Sequence, residues 1–156
     1  MLVGVIADSH DNLPKLRAAV ELLRRKGVEH ILHAGDWVAP FAVRILIDSG
    51  IPFTGVFGNN DGERKGIGTM APGIHPPPYE LELGGRRIIL THEIERVSAD
   101  ASAKADVVIF GHTHRIVNEG RSPLLLNPGE AGGWLTSRAT VALLDLEKLE
   151  ATILDV

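Results

Sequence analysis

The sequence predicts an α/β fold in which two sheets pack face to face with helices outside. Three observations predict it. The first third of the chain alternates short apolar runs with segments of helical spacing. The middle carries a two-glycine hairpin signal. The remainder is a series of short β-rich runs interrupted by one helical stretch.

Residues 2–7 are apolar and β-rich, the pattern of a buried strand. In residues 12–26, Leu13, Leu16, Ala19, Val20 and Leu23 recur at helical spacing, with Asn12 as N-cap, Pro14 in the first turn and Gly27 as stop. Residues 28–34 read as a second strand, 40–48 as a second helix ending near Gly50, and 51–57 as a third strand. This alternation predicts parallel strands joined by right-handed crossovers. Residues 62–78, rich in Gly and Pro, read as a loop. Residues 79–83 and 86–91 flank Gly84-Gly85, a hairpin signal. A short helix is expected within 97–104 and a buried strand over 106–110. Further strands are expected over 115–119, 124–127, 139–145 and 151–155.

A chain of 156 residues, 44% hydrophobic and 23% charged, suits one globular domain spanning 1–156. Its longest apolar runs, such as residues 107–110 and 124–126, are too short to cross a bilayer, so no membrane partner is expected. The first residues lack a basic region and a cleavage pattern, so they read as a strand and the expected location is cytoplasmic. With no cysteine, disulfides, thiolate metal sites and a Cys nucleophile are excluded. The net charge of −4 disfavours a broad grip on nucleic acid. The small basic clusters Arg24-Arg25-Lys26 and Arg86-Arg87 read as a helix end and a hairpin turn. The sequence leaves a homo-oligomer open.

The informative pattern lies just past the end of each buried strand. In order, the motifs there are Asp8-Ser9-His10, Gly35-Asp36, Gly58-Asn59-Asn60-Asp61, Thr91-His92 and Gly111-His112-Thr113-His114. In open α/β sheets that edge is where ligands bind. In extended chain, residues i and i+2 point the same way, so Asp8 and His10 are expected to reach one point, and likewise His112 and His114. Glycines 35, 58 and 111 allow sharp turns and close backbone approach. Carboxylate, imidazole and amide oxygen without thiolate suit Mn²⁺, Fe²⁺, Zn²⁺ or similar cations. Four of the seven histidines lie at these strand ends, and His30, His33 and His75 read as structural or exposed.

This ordered set resembles the calcineurin-like metallophosphoesterase superfamily. Asn60-Asp61-Gly62 and Asn127-Pro128-Gly129-Glu130 look like its small bacterial and archaeal phosphodiesterase branch. The resemblance runs from residue 3 to about residue 146. It implies a four-layer α/β/β/α sandwich of two mixed sheets flanked by helices. It also implies two divalent cations, manganese first, with nickel, iron or zinc as alternatives. By the resemblance Asp8, His10 and His114 hold the first cation, Asn59, His92 and His112 the second, and Asp36 bridges both. A metal-bridging hydroxide would then attack a small phosphoester, with the metals roughly 3.5–4 Å apart. Asn60 and Asn127, with Trp134 or Glu130, are expected to orient the phosphate.

The sequence departs from the superfamily in two places. Larger members carry a His after the motif Asn. Here that position is Asn60, whose amide can hydrogen-bond a phosphate oxygen but cannot donate a proton as a general acid. Small relatives often continue Thr-His with Gly-His, and here Glu93-Ile94 comes next. Two other readings compete with a phosphodiesterase or phosphatase. One is a scaffold, as in the retromer subunit of this fold, although all seven ligand positions here carry competent side chains. The other is a nuclease, which the acidic balance disfavours.

Overall fold

The computed structural model describes residues 1–156. The first segment gives β1 (Leu2–Ile6), α1 (Leu13–Arg25), β2 (His30–His33), α2 (Pro40–Ser49) and β3 (Phe53–Val56). β1, β2 and β3 pair in parallel, as the alternation predicts. α1 begins where expected: the Asn12 side chain accepts from Lys15 N, a proline lies in the first turn, and Arg24 and Arg25 occupy the last. α2 ends on Gly50, which adopts the left-handed conformation.

Residues 62–78 depart from the expected loop. They contain α3 (Arg64–Met70) and β4 (Ile74–His75), the latter pairing in parallel with β3. Gly66 and Gly68 lower the helical propensity of this segment, and no side chain caps it. Packing overrides propensity: Ile67, Ala71 and Ile74 are buried in the same core as α2.

The second half supplies β5 (Tyr79–Leu83), β6 (Arg86–Leu90), α4 (Ala99–Lys104), β7 (Val107–Ile109), β8 (Ile116–Glu119), β9 (Leu124–Pro128), β10 (Thr140–Asp145) and β11 (Glu150–Asp155). Gly84 and Gly85 both take positive φ in the β5–β6 turn, which a two-residue hairpin of this twist requires.

Two sheets result. The first has the order β11-β10-β1-β2-β3-β4, with β10 antiparallel to β1 and β11 antiparallel to β10. The second has the order β5-β6-β7-β9-β8, with β6, β7 and β9 parallel and both edges antiparallel. Strand alternation then builds three apolar layers. Val3, Val5 and Ala7 face Ile88, Leu90, Val107, Ile109 and Leu126 between the sheets. Ile6 and Ile31 face Leu16, Val20, Val43 and Leu46 of α1 and α2 on the first sheet's outer side. Ile89 and Val108 face Ala101 and Ala105, at α4, on the second sheet's outer side. The molecule is thus the four-layer α/β/β/α sandwich that the resemblance implies. Within it, the carboxyl ends of β1, β2, β3, β6 and β7 carry the five polar motifs.

Candidate metal centre

The polar motifs converge. His10 Nε2 and His114 Nε2 lie 3.3 Å apart, and His114 Nε2 is 3.5 Å from Asp8 Oδ1. His10 Nε2 is 3.8 Å from the same Asp8 oxygen and 3.5 Å from Asp36 Oδ2. On the other side, His92 Nε2 is 3.4 Å from Asp36 Oδ2 and 2.9 Å from Asn59 Oδ1. His112 Nδ1 lies 2.9 Å from that amide oxygen. Two ligand groups tight enough for a cation emerge, Asp8-His10-His114 and Asp8-Asp36-His92.

The backbone that brings them together is not extended. Asp8, His10, Asp36, His112 and His114 all have positive φ, between 43° and 67°. Each such residue costs roughly 1–3 kcal/mol unless its surroundings impose it. Side-chain alternation of an extended chain therefore does not govern these bends. Asp8 and His10 still meet, but His112 turns to Asn59 while His114 turns to Asp8 and His10. The strain is imposed by close approach. A Cβ on Gly58 would stand 2.1 Å from Asp36 Oδ1, and one on Gly111 would stand 2.7 Å from Asp8 Oδ2. Glycine alone leaves room there for the carboxylates.

The tautomers are set from behind. His92 Nδ1 lies 2.8 Å from the Ala34 carbonyl oxygen, which can only accept, so Nδ1 carries the proton. His114 Nδ1 lies 2.8 Å from Glu130 Oε2 and donates to it in the same way. In the neutral rings both Nε2 lone pairs then point inward at carboxylate and amide oxygens, where acceptors alone would repel one another. A cation resolves that conflict. Asp8 and Asp36 are almost fully buried, and every ion-pair partner of either is a histidine. Buried carboxylates need compensating charge. The donor set of oxygen and imidazole nitrogen fits divalent cations.

Protonation expresses the same demand in the protein alone. Burial pushes Asp8 up to about 7, against the pull of His92 and His114. Burial would also raise Asp36, but hydrogen bonds and charge from His92 and hydrogen bonds from Asn60 hold it below the usual carboxylate range. Burial disfavours the charged form of His92, yet Asp36 and Asp8 outweigh it and raise the group. At His10 burial wins and lowers it.

Some expected contacts are corrected. Asn127 is fully buried, its Nδ2 donating to Gly111 O and Thr113 Oγ1 and its Oδ1 accepting from Gly129 N. Buried and engaged through both polar atoms, it faces the loop bearing His112 and His114 rather than the mouth of the site. Glu130 is likewise buried, and its second oxygen accepts from Leu135 N, Thr136 N and Thr136 Oγ1. It orients His114 rather than a phosphate. Asn60 is exposed at the mouth, donating from Nδ2 to Asp36 Oδ2 at 2.8 Å and from its backbone N to Asp36 Oδ1 at 2.9 Å. Trp134 stands exposed at the same mouth.

Sequence reasoning missed Asp61. This buried carboxylate accepts from Asp36 N, Gly58 N and Val38 N at 3.2, 2.7 and 2.6 Å, clamping two motif loops together. The only signal was its place at the end of the Asn59 motif. His33, read as structural, is buried against Trp37 with ring centroids 3.5 Å apart, and its Nε2 meets Ser9 Oγ.

Comparison with known proteins points the same way. The profile of the calcineurin-like phosphoesterase superfamily domain matches residues 1–149. A phosphodiesterase of Methanocaldococcus jannaschii is 33% identical over 159 residues, covering 96% of each chain. The solved structure of an archaeal phosphodiesterase superposes with a TM-score of 0.90 at 33% identity, covering all of both chains. A phosphoesterase from E. coli shares the fold at a TM-score of 0.69 and 21% identity, covering 99% of this chain and 98% of that one.

Proposed function

The chain belongs to the calcineurin-like phosphoesterase superfamily, and from that premise we propose that it hydrolyses phosphodiesters, with phosphomonoesters as a second substrate class. The observation that carries the reading is the inward convergence of four imidazoles, two buried carboxylates and one amide oxygen, with His92 and His114 locked as Nδ1–H donors.

In this reading Asp8, His10 and His114 would hold one divalent cation, Asn59, His92 and His112 would hold a second, and Asp36 would serve both. Manganese is the first choice, with nickel, iron or zinc also compatible with the donor set. When bound, such a pair supplies a reactive water and offsets the charge of the phosphate. Asp36 keeps its carboxylate ionised for both cations. The Asn60 amide, released from Asp36, donates to a phosphate oxygen but gives up no proton. All seven positions keep ligand-competent side chains, which favours an enzyme over a scaffold. Residues 1–156 act as one unit, because β10 and β11 from the end of the chain extend the sheet that β1 begins.

The test is an activity panel with Mn²⁺, Ni²⁺, Fe²⁺ and Zn²⁺ across phosphomonoesters and phosphodiesters. Metal-dependent turnover of diesters is expected. Bound metal without hydrolysis of any ester would favour the scaffold reading.

A further inference from the structure

A cleft of about 350 Å³ opens beside the centre, lined by His10, Val38, Asn60, His114, Trp134 and Leu135. Its walls are of two kinds. His10, His114 and Asn60 belong to the centre, whereas Val38, Trp134 and Leu135 are apolar. Trp134 is 62% exposed and Leu135 78%, among the most exposed large apolar side chains of the chain. Large apolar groups grouped at the lip of a polar site mark a ligand surface.

This wall is built rather than loose. The Trp134 indole donates from Nε1 to His10 O at 3.2 Å, which ties the ring to the loop bearing a proposed ligand. Gly132 lets the ring lie close, since a Cβ there would stand 3.0 Å from Trp134 Cδ1. One Glu130 oxygen accepts from Leu135 N at 2.9 Å and Thr136 Oγ1 at 2.7 Å, while the other holds His114 Nδ1. A single buried carboxylate therefore sets both a ligand imidazole and the apolar lip, and keeps the two in register. Val38 completes the wall at φ 77°, a conformation a β-branched residue adopts only under constraint. Its backbone N is held by Asp61 Oδ1 at 2.6 Å. An enforced outlier at a cleft points to function.

Resting on the phosphodiesterase reading, we propose that Trp134, Leu135 and Val38 form an apolar subsite that seats the retained aromatic group of a phosphodiester. A flat ring stacks on the indole while Leu135 and Val38 exclude water from its edges. The retained group fits better than the departing one. With Asn60 in place of a proton donor, the departing oxygen leaves as an anion and needs water around it. Desolvating that anion among Trp134, Leu135 and Val38 would be costly. The retained ester gains no charge and loses nothing in an apolar cleft.

The test uses three diesters that share a para-nitrophenyl leaving group and carry methyl, phenyl or thymidine as the other ester group. The metal-loaded protein is expected to favour the aromatic esters over methyl by about tenfold in kcat/KM, mainly through KM. Trp134→Ala should collapse that ratio toward unity, and Leu135→Ala should reduce it. Met70→Ala, exposed on α3 away from the cleft, should leave it unchanged. Preference for phenyl alone, or for thymidine as well, tells a simple aryl group from a nucleobase, and both support the subsite. A second readout needs no turnover. Trp37 is fully buried and Trp134 exposed, so ligand-dependent emission reports on Trp134. Phenylphosphonate should quench it at lower concentration than methylphosphonate. Equal quenching by the two phosphonates, or an aromatic preference that survives Trp134→Ala in a folded variant with full metal content, overturns the subsite. Selective quenching in a protein that hydrolyses no diester would instead overturn the phosphodiesterase reading and leave the subsite standing.

Discussion

The two halves of the centre are made of different chemistry. Around Asp8, His10 and His114 the carboxylate is fully buried, and a second buried carboxylate, Glu130, stands behind the His114 imidazole. The group of Asn59, His92 and His112 includes no carboxylate, Asn59 and His112 are exposed, and only a backbone carbonyl stands behind His92. In the proposed assignment the first half would hold its cation with its own buried carboxylate, and the second would rely on Asp36 for its charge. The first site should be the tighter of the two, and the second the one that exchanges with the medium.

Asp36 decides whether this contrast holds, because in the proposed assignment it is the one group shared by both halves. Asp36→Asn should empty both sites and reduce activity by more than the roughly 10–100-fold that a partner behind a ligand costs. Metal analysis alongside the rate checks it; two bound ions with full activity would remove the bridging role. Next in size is the leaving-group effect of Asn60. General acid assistance is worth about 10²–10⁴-fold, so its absence should penalise alkyl leaving groups and spare acidic phenols. A rate series across substituted phenyl and alkyl diesters should be steep, and Asn60→His should gain most on the poorest leaving groups. A flat series, with chemistry rate-limiting, would mean that another residue donates the proton.

Glu130→Gln sharpens the contrast within the first half alone. It removes the anion behind His114 and should weaken metal binding there by about 10–100-fold while leaving the other half near wild type. Isothermal titration with Mn²⁺ reads the two affinities, and equal weakening of both sites would contradict the division. The smallest effect concerns protons. In the protein without metal burial pushes Asp8 up to about 7, and Asp36 and Asp8 raise His92, so near pH 6 protons on both groups must leave before they become ligands. Metal affinity should therefore fall as pH drops below about 7. Calorimetry in buffers of different ionisation heat should show proton release on metal uptake at pH 6. Uptake without release would mean that neither Asp8 nor His92 carries a proton at that pH.

The sequence and the structure agree most closely where local rules govern. The Asn12 cap, the Gly50 stop and the Gly84-Gly85 turn are short-range signals, and the alternation of Val3, Val5 and Ala7 comes from strand geometry. All seven expected ligand positions also come together, because each lies just beyond a buried strand whose carboxyl end opens on the same edge. What stayed hidden depends on contacts distant in sequence. α3 forms because Ile67 is buried, against the preference of its glycines. Asp61 clamps Asp36 from 25 residues away, and Asn127 turns inward to Gly111 rather than outward. Residue type does not reveal which way a polar side chain at a strand end will face.

We propose that this edge holds two cations that drive hydrolysis together. The most direct test is to titrate Mn²⁺ into the metal-free protein while following bound metal per chain and turnover of an aryl phosphodiester. Two ions per chain are expected, the first binding tightly with little activity and turnover rising only as the second site fills. Full turnover with one ion per chain, or turnover indifferent to metal, would contradict the claim.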